Sequence, residues 1–463
     1  MTQPTTHNPI TDGRISRAIL RLALPTWGAF FFHDLMGIAD MFFVGKLGKD
    51  AVAAVGVGTF MIGIIITLVQ SISVGTTALV SNAFGRRDPD RAADVAGQAL
   101  VMALGLSVVL AACGIPLAPT IVHWMGAEGA VVEDGAAYIR ILSGGGFAML
   151  FAIALANALR GAGDARTPFV ALMAANVINI VLDPLLIFGL GGFPELGVAG
   201  SAWATMAGRL VAALVMARSL LSGRGLIHLR WHNLRPRWPL IARIAKIGAY
   251  SSGRVMMRHL AMLLIMRLAA SFGTAALAAF GLCFRLQMLI FGPTMGFSTA
   301  AATVVGQNLG AEQPERATRA GWTAAGLAIC AAALLGAAYW LGAEHVIPVF
   351  NDDAEVVRLG SELLRWMSPS FLFMSLAMVL SFSMNGAGDT LRPMLITGTA
   401  LLLFGVPLAH LLAGLWDDVS GVWVGLFASN VLAGLLAAWT FHLGAWREVG
   451  RRHAARERAE NGR

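Results

Sequence analysis

Two carboxylates, Asp40 and Asp183, stand inside long apolar stretches of this 463-residue chain. An ionisable side chain in such a stretch is costly and marks a functional candidate. Out of water a carboxyl group favours its neutral form, so it can take up and release a proton. Alternatively, it can offer a hard oxygen to an ion such as Na⁺. Asp183 follows Asn179 by four residues and Asn176 by seven, so on a helix all three side chains share one face. Pro184 comes next, removing a backbone amide and loosening the helix there. The same groups could instead make a hydrogen-bonded polar seam between helices, and Asp40 could be a paired carboxylate near an interface. Both readings stay open at this level.

A second constellation is cationic: Arg254, Arg258, His259 and Arg267 share one apolar stretch. Arg254 can snorkel toward a membrane surface. Arg258 and His259 sit about 18 Å into their span at 1.5 Å per residue, too deep for that, and either pair with an acid or contact substrate. Pro25 interrupts the first apolar stretch, where it acts as a hinge or as a static bend.

The elements that hold these residues follow from composition. The chain is 57% hydrophobic and 13% charged, against roughly a quarter charged in soluble domains. Apolar stretches of about 20 residues, the length that spans a bilayer, recur at Ala18–Val44, Ala51–Gly75, Ala93–Cys113, Gly135–Ala158, Pro168–Leu190 and Gly197–Leu221. They continue at Lys246–Ala270, Ala275–Ala300, Thr318–Leu341, Gly360–Met384, Pro393–Leu415 and Gly421–Leu443. Lipid offers a bare amide no partner, so these are helices, and the alternating strands of a barrel are lacking. The first stretch is too long, too acidic and too poor in cleavage signals for a signal peptide. Cys113, Cys283 and Cys330 have unrelated spacing and read as small apolar residues, with no disulfide framework or metal site. No HExxH, nucleophile elbow or paired DxxD motif supports a membrane-embedded enzyme.

The net charge of +8 sets orientation and does not point to nucleic acid. Lys and Arg gather in alternate loops, notably Arg86, Arg87 and Arg91, the run from Arg224 to Arg243, and the tail from Arg447. The opposite loops hold acids such as Glu128, Glu133, Asp134, Asp352, Asp353, Asp417 and Asp418, with Lys46 and Lys49 as exceptions. The positive-inside rule then places both termini and the long central loop in the cytoplasm of a cell inner membrane.

Shifted by 225 residues, the chain aligns with itself. Gly48 meets Gly273, Gly85 meets Gly310, Pro89 meets Pro314, and Gly161–Asp164 meets Gly386–Asp389. A constant register over loops as well as helices indicates duplication. The expected organisation is a cytoplasmic segment at 1–17, a six-helix lobe at 18–221 and a linker at 222–245, then a six-helix lobe at 246–443 and a basic tail at 444–463. Two halves of six crossings enter from the same side, so a pseudo-two-fold axis along the membrane normal should relate them, with a substrate cavity between. The register sets His33 and Asp34 opposite Arg258 and His259, which makes an inter-lobe ion pair the alternative to substrate contact.

Six segments in order give a specific likeness. They are LPTWGAFFFHDLMGIADMFFVGKLG at Leu24–Gly48, LVSNAFGRRDPDRA at Leu79–Ala92, NALRGAGDARTPF at Asn157–Phe169, NVINIVLDPLLIFG at Asn176–Gly189, GVAGSAWAT at Gly197–Thr205 and VVGQNLGAEQPERA at Val304–Ala317. Over nearly its whole length the chain resembles the multidrug and toxic compound extrusion (MATE) transporters of the MOP superfamily. That resemblance implies twelve transmembrane helices in two pseudo-symmetric bundles. It also implies antiport of drugs or toxic organic compounds against H⁺ or Na⁺, with no other cofactor. Within the family it looks closest to the DinF-type branch, whose carboxylates lie in the first half. The acids of the NorM-type branch find no match, since Ser370–Met384 contains none. Carried over residue by residue, the resemblance assigns cation coupling, including a Na⁺ site, to Asp40, Asn179, Asp183 and Thr205. Asp183 has no second-half counterpart, where Leu408 falls, and Ile265 replaces Asp40. The implied substrate is a small molecule, an organic cation by family habit or an anion or zwitterion if Arg258 meets it, moved by a lipid-embedded monomer. A flippase of lipid-linked or anionic metabolites is the rival within transport.

Reporter fusions should find both termini and the 222–243 loop on the cytoplasmic side and the Asp417–Asp418 loop outside. A central loop accessible from the periplasm would end the twelve-crossing, positive-inside reading.

Overall fold

The computed structural model describes residues 8–223 and 225–450, apart from the side chains of residues 59–62 and 64. The basic tail beyond Gly450 and the first seven residues lie outside the described residues. Every regular element among those described is helical. The first half runs α1 (Ile15–Gly45), α2 (Lys49–Gly85), α3 (Pro89–Trp124), α4 (Ala130–Gly144), α5 (Gly146–Ala162), α6 (Arg166–Ile187) and α7 (Val198–Leu221). The second runs α8 (Trp238–Ala270), α9 (Thr274–Gly310), α10 (Pro314–Val346), α11 (Ala354–Gly386), α12 (Leu391–Thr397), α13 (Val406–Trp416) and α14 (Ser420–Leu443).

Ten helices among the described residues are long and apolar enough to cross a membrane, and α4 with α5 makes an eleventh crossing bent by 48°. The remaining long helix, α8, of 33 residues, carries Arg254, Arg258 and His259 and stands where the sequence places its seventh crossing. Sequence patterning expects one straight helix where α4 and α5 stand. The break falls in Gly144-Gly145-Gly146, where no side chain stiffens the backbone and a Cβ on Gly145 would come within 2.7 Å of Met206. The eleventh crossing is likewise uneven. A π-helical stretch, Gly398–Gly405, joins α12 to α13, just ahead of Pro407, which has no amide for the α-helical ladder.

Two compact units result: Gly28–Gly248 in one, and the residues up to Trp27 with those from Ala249 in the other. The divisions fall inside α1, two residues beyond Pro25, and inside α8. The 225-residue register recurs in the backbone itself. Gly48 and Gly273 precede α2 and α9 at φ 110° and 109°, Arg87 and Glu312 share left-handed values of 59° and 60°, and Gly163 and Gly388 end helices at 99° and 83°. Asp88 caps α3 by accepting the Arg91 amide at 2.9 Å, while Asp164 accepts the amides of Arg166 and Thr167 at 3.0 Å each.

Lipid supplies no hydrophobic drive between helices, so their association depends on close packing at small residues. In the second unit a Cβ on Gly386 would lie 2.1 Å from the Ala302 carbonyl oxygen, and in the first one on Gly161 would lie 3.1 Å from that of Thr77. Residues 302 and 386 are 77 and 161 advanced by 225, so the duplication preserved a helix contact as well as turns.

Each unit also secures a loop-like segment. In the first, Gln98 of α3 donates to the Asn233 and Arg235 carbonyls at 2.8 and 2.9 Å and accepts the Arg237 amide at 2.8 Å. Asp94 accepts from Asn233 at 2.8 Å and pairs with Arg237 at 2.5 Å. In the second, Asn8 donates to Gln307 at 3.3 Å, and Arg316 donates to the carbonyls of Ile10 and Gly13.

Gly386→Ala should destabilise the protein by about 1–3 kcal/mol, since its methyl would meet backbone and not a flexible side-chain tip. Gly326, with nothing within 4 Å of a Cβ, should tolerate alanine or gain slightly from helix propensity. Thermal melts in detergent compare the two directly; equal melting points would sink the packing account.

Candidate functional site

α6 and α7 approach closely enough to build a site because α7 is notched. A Cβ on Gly200 would lie 2.5 Å from the Leu186 carbonyl oxygen, and one on Gly208 2.7 Å from that of Ala175. Between these notches Ser201 and Thr205 follow one another by a turn, with Arg209 a turn further. α6 presents Asn176, Asn179 and Asp183, all buried, as their spacing predicts.

Asn179 joins the two helices. Its amide nitrogen donates to Asp183 Oδ1 at 3.4 Å and to Thr205 Oγ1 at 3.3 Å. Turned by half a revolution, the amide instead donates to Asp183 Oδ2 at 3.3 Å and accepts the Thr205 backbone N–H at 3.2 Å. In both orientations it bridges the carboxylate to α7. Asp40 of α1 is reached from one turn earlier on the same helix, accepting the Ser201 hydroxyl at 2.5 Å. Tyr138 of α4 lies within electrostatic reach of both Asp40 and Asp183. The two carboxylates also act on each other through space. The donor set is oxygen-rich: two carboxylates, two hydroxyls, a phenol and an amide. Such a set suits a hard cation or a shared proton.

His33 occupies a position two turns before Asp40 on α1, and its Nδ1 lies 3.4 Å from the Arg209 guanidinium. Arginine can only donate, so this contact requires a lone pair on Nδ1 and leaves any ring proton of a neutral imidazole on Nε2. Asn176 is buried with its amide nitrogen unpartnered. Asp34 is exposed on α1, and Pro25 lies within that helix, which continues unbroken through it. In the second unit Arg258 rests 5.7 Å from the centroid of Phe291, and His259 is exposed.

Sequence reasoning thus brings together Asp40, Asn179, Asp183 and Thr205 but misses Tyr138, Ser201 and Arg209. Signals for them existed. Tyr138 is one of three tyrosines in the chain, Ser201 precedes Thr205 by one helical turn, and Arg209 is a cation near the middle of an apolar helix.

A model of the MatE family matches residues 25–185 and again residues 253–411, so one description fits each half. The chain is similar to the probable multidrug resistance protein NorM of Thermotoga maritima, at 26% identity over 437 residues and 93% of both chains. It is also similar to a FAD transporter of Shewanella oneidensis, at 28% identity over 91% of this chain and 93% of that one. Among solved structures, a crystal structure of a MATE in the bent conformation matches with a TM-score of 0.89 at 26% identity, covering 98% of this chain and 100% of that one.

Tyr138 owes its place to Gly58, where a Cβ would lie 2.2 Å from the Tyr138 ring. Gly58→Ala should therefore cost about 1–3 kcal/mol by overpacking, while Gly56→Ala, with open space around it, should be near neutral. In a Tyr138→Ala background the Gly58 change should lose most of its cost. Melts of the four proteins test this; an undiminished loss in the double variant would show that the glycine serves something other than the tyrosine.

Proposed function

Because the chain belongs to the MatE family, we propose that it exports drugs or other toxic organic compounds by cation-coupled antiport, with H⁺ or Na⁺ as the driving ion. It is a multi-pass membrane protein of a transporter family; we place it in the inner membrane as a monomer with both termini cytoplasmic. The observation that supports coupling most directly is the pair Asp40 and Asp183, each tied to α7, Asp40 by Ser201 and Asp183 through Asn179 to Thr205, and each within electrostatic reach of the other.

The mechanism follows from charge. Two carboxylates in a low-dielectric interior repel each other, and one bound cation or proton relieves that repulsion. Occupancy thereby alters how tightly α1 is held to α6 and α7, since Asp40 reaches that pair through Ser201. Pro25 offers α1 a compliant point at which to answer the change, because the helix lacks a backbone donor there. A ligand shifts such an equilibrium only through its different affinity for the two states, and charge compensation supplies that difference.

A second reading, export of an organic anion or flipping of a lipid-linked one, draws on Arg258 and His259 and on the similarity to a FAD transporter.

Asp40→Asn and Asp183→Asn should each abolish ion-driven efflux while leaving folding largely intact, and no single residue of α8–α14 should be as necessary for coupling. Dye efflux from inverted vesicles, energised separately by a pH gradient and by Na⁺, measures this and identifies the ion. Full transport by both variants would falsify the proposed coupling site, and loss accompanied by unfolding would assign these residues to structure alone.

A further inference from the structure

The second unit carries a group of basic and polar side chains that the coupling scheme leaves unused. Arg254 and Arg258 stand one turn apart on α8, close enough for their charges to interact. Each lies over an aromatic face: Arg254 at 5.1 Å from the centroid of Phe382 on α11, and Arg258 at 5.7 Å from that of Phe291 on α9. Phe382 packs with Met378 and Ala302, and Phe291 and Met295 pack against them.

This group has no acid beside it on its own helices, and Asp389, the buried acid just past α11, pairs with Arg392. α8 and α9 contain no Asp or Glu. On α11 the nearest to Phe382 is Glu362, twenty residues away, or about 30 Å along the helix. The same seam contains buried polar atoms without partners. They are Arg254 Nε, the Ser251 hydroxyl three residues earlier on α8, and both amide atoms of Asn385, three residues after Phe382 on α11. Orphaned donors are rare in folded interiors, and two like charges one turn apart in an apolar seam repel. An anion between them satisfies the donors and cancels the repulsion. Planar guanidinium groups suit carboxylate and phosphate in particular.

We propose that Arg254 and Arg258, backed by Phe382 and Phe291, form a subsite for the carboxylate or phosphate of an organic anion whose apolar body lies against Met295 and Met378. This deepens the transport reading above, on which it rests, by naming the chemistry of one cargo class. A soluble metabolite and an anionic lipid headgroup share that chemistry.

The test uses the full-length protein in nanodiscs of neutral phosphatidylcholine and three probes of like shape: 1-naphthyl phosphate, 1-naphthylmethanol and 1-naphthylmethylammonium. The wild type should bind the phosphate at least tenfold tighter than the alcohol, and the ammonium more weakly than either. Arg254→Gln and Arg258→Gln should each lower phosphate affinity about tenfold and leave the alcohol unchanged, with Arg258→Lys recovering part of the loss. Variants are compared only at matched melting behaviour, and the unchanged alcohol affinity reports an intact cavity. Adding phosphatidylglycerol to the nanodisc assigns the source: competition identifies a lipid headgroup, and indifference a soluble anion. Equal affinity for all three probes would overturn the proposal. So would anion preference that appears only in Asp34→Asn, which would mean that Asp34 already neutralises Arg258. Failure of the coupling reading looks different, because Asp40→Asn should lose its response to an ion gradient yet keep the phosphate preference.

Discussion

A carboxylate placed among apolar helices has little water to fall back on, and in this protein two of them lie within electrostatic reach of each other. Each ionised group costs about 2.5–3.5 kcal/mol near mid-membrane, and a hydrogen bond to a charged group returns about 1.5–3 kcal/mol. One bond apiece, from Ser201 to Asp40 and from Asn179 to Asp183, therefore leaves the ionised pair barely tolerable before their repulsion is counted. That narrow margin makes a bound cation or proton decisive. It also explains why neighbouring helices are shaped as they are. The notches at Gly200 and Gly208 let α7 reach α6, and Gly58 makes room for Tyr138. The polar residues of α6 fall on one face because four- and seven-residue spacing puts them there.

The two units differ sharply in electrostatic character. The first gathers the acids Asp40 and Asp183, and its Arg209 contacts a histidine. The second gathers arginines laid on aromatic rings. A duplicated scaffold has kept its turns while its charged interior positions diverged, with Ile265 and Leu408 standing where Asp40 and Asp183 have their register. The same backbone constraints serve both units, since turns need only a few glycines and acids at fixed places. The charged interior positions are free to diverge.

Much of this was legible before any coordinates. Hydropathy located the crossings because a span needs only length and apolarity, and the 225-residue register reappeared as matched dihedral angles at Gly48 and Gly273, Arg87 and Glu312, and Gly163 and Gly388. Helical periodicity correctly grouped Asn176, Asn179 and Asp183. Partners across helices were not legible. That Ser201 reaches Asp40, or that Arg209 meets His33, depends on which faces two helices present to each other, and spacing within one helix does not contain that information. The bend at Gly145 was visible as a run of glycines, but hydropathy is blind to direction, so one apolar stretch read as one straight rod. The same blindness hid the α8 residues ahead of Lys246, whose polarity masked their continuation of the helix.

The ties from the amino-terminal segment to the end of α9 and the start of α10 have a temporal side. Asn8 bonds Gln307, and Arg316 binds the carbonyls of Ile10 and Gly13, so partners made first must wait for residues about 300 positions later. At a synthesis rate of about 5–20 residues per second, the wait is about 15–60 s. The intervening unit, Gly28–Gly248, has all its own contacts in hand long before then, including the clamp of Gln98 on the segment that follows α7. Assembly in the ribosome's order thus completes the middle of the chain before either end. Asn8, Ile10 and Gly13 can make these bonds only once the end of α9 and the start of α10 have been synthesised.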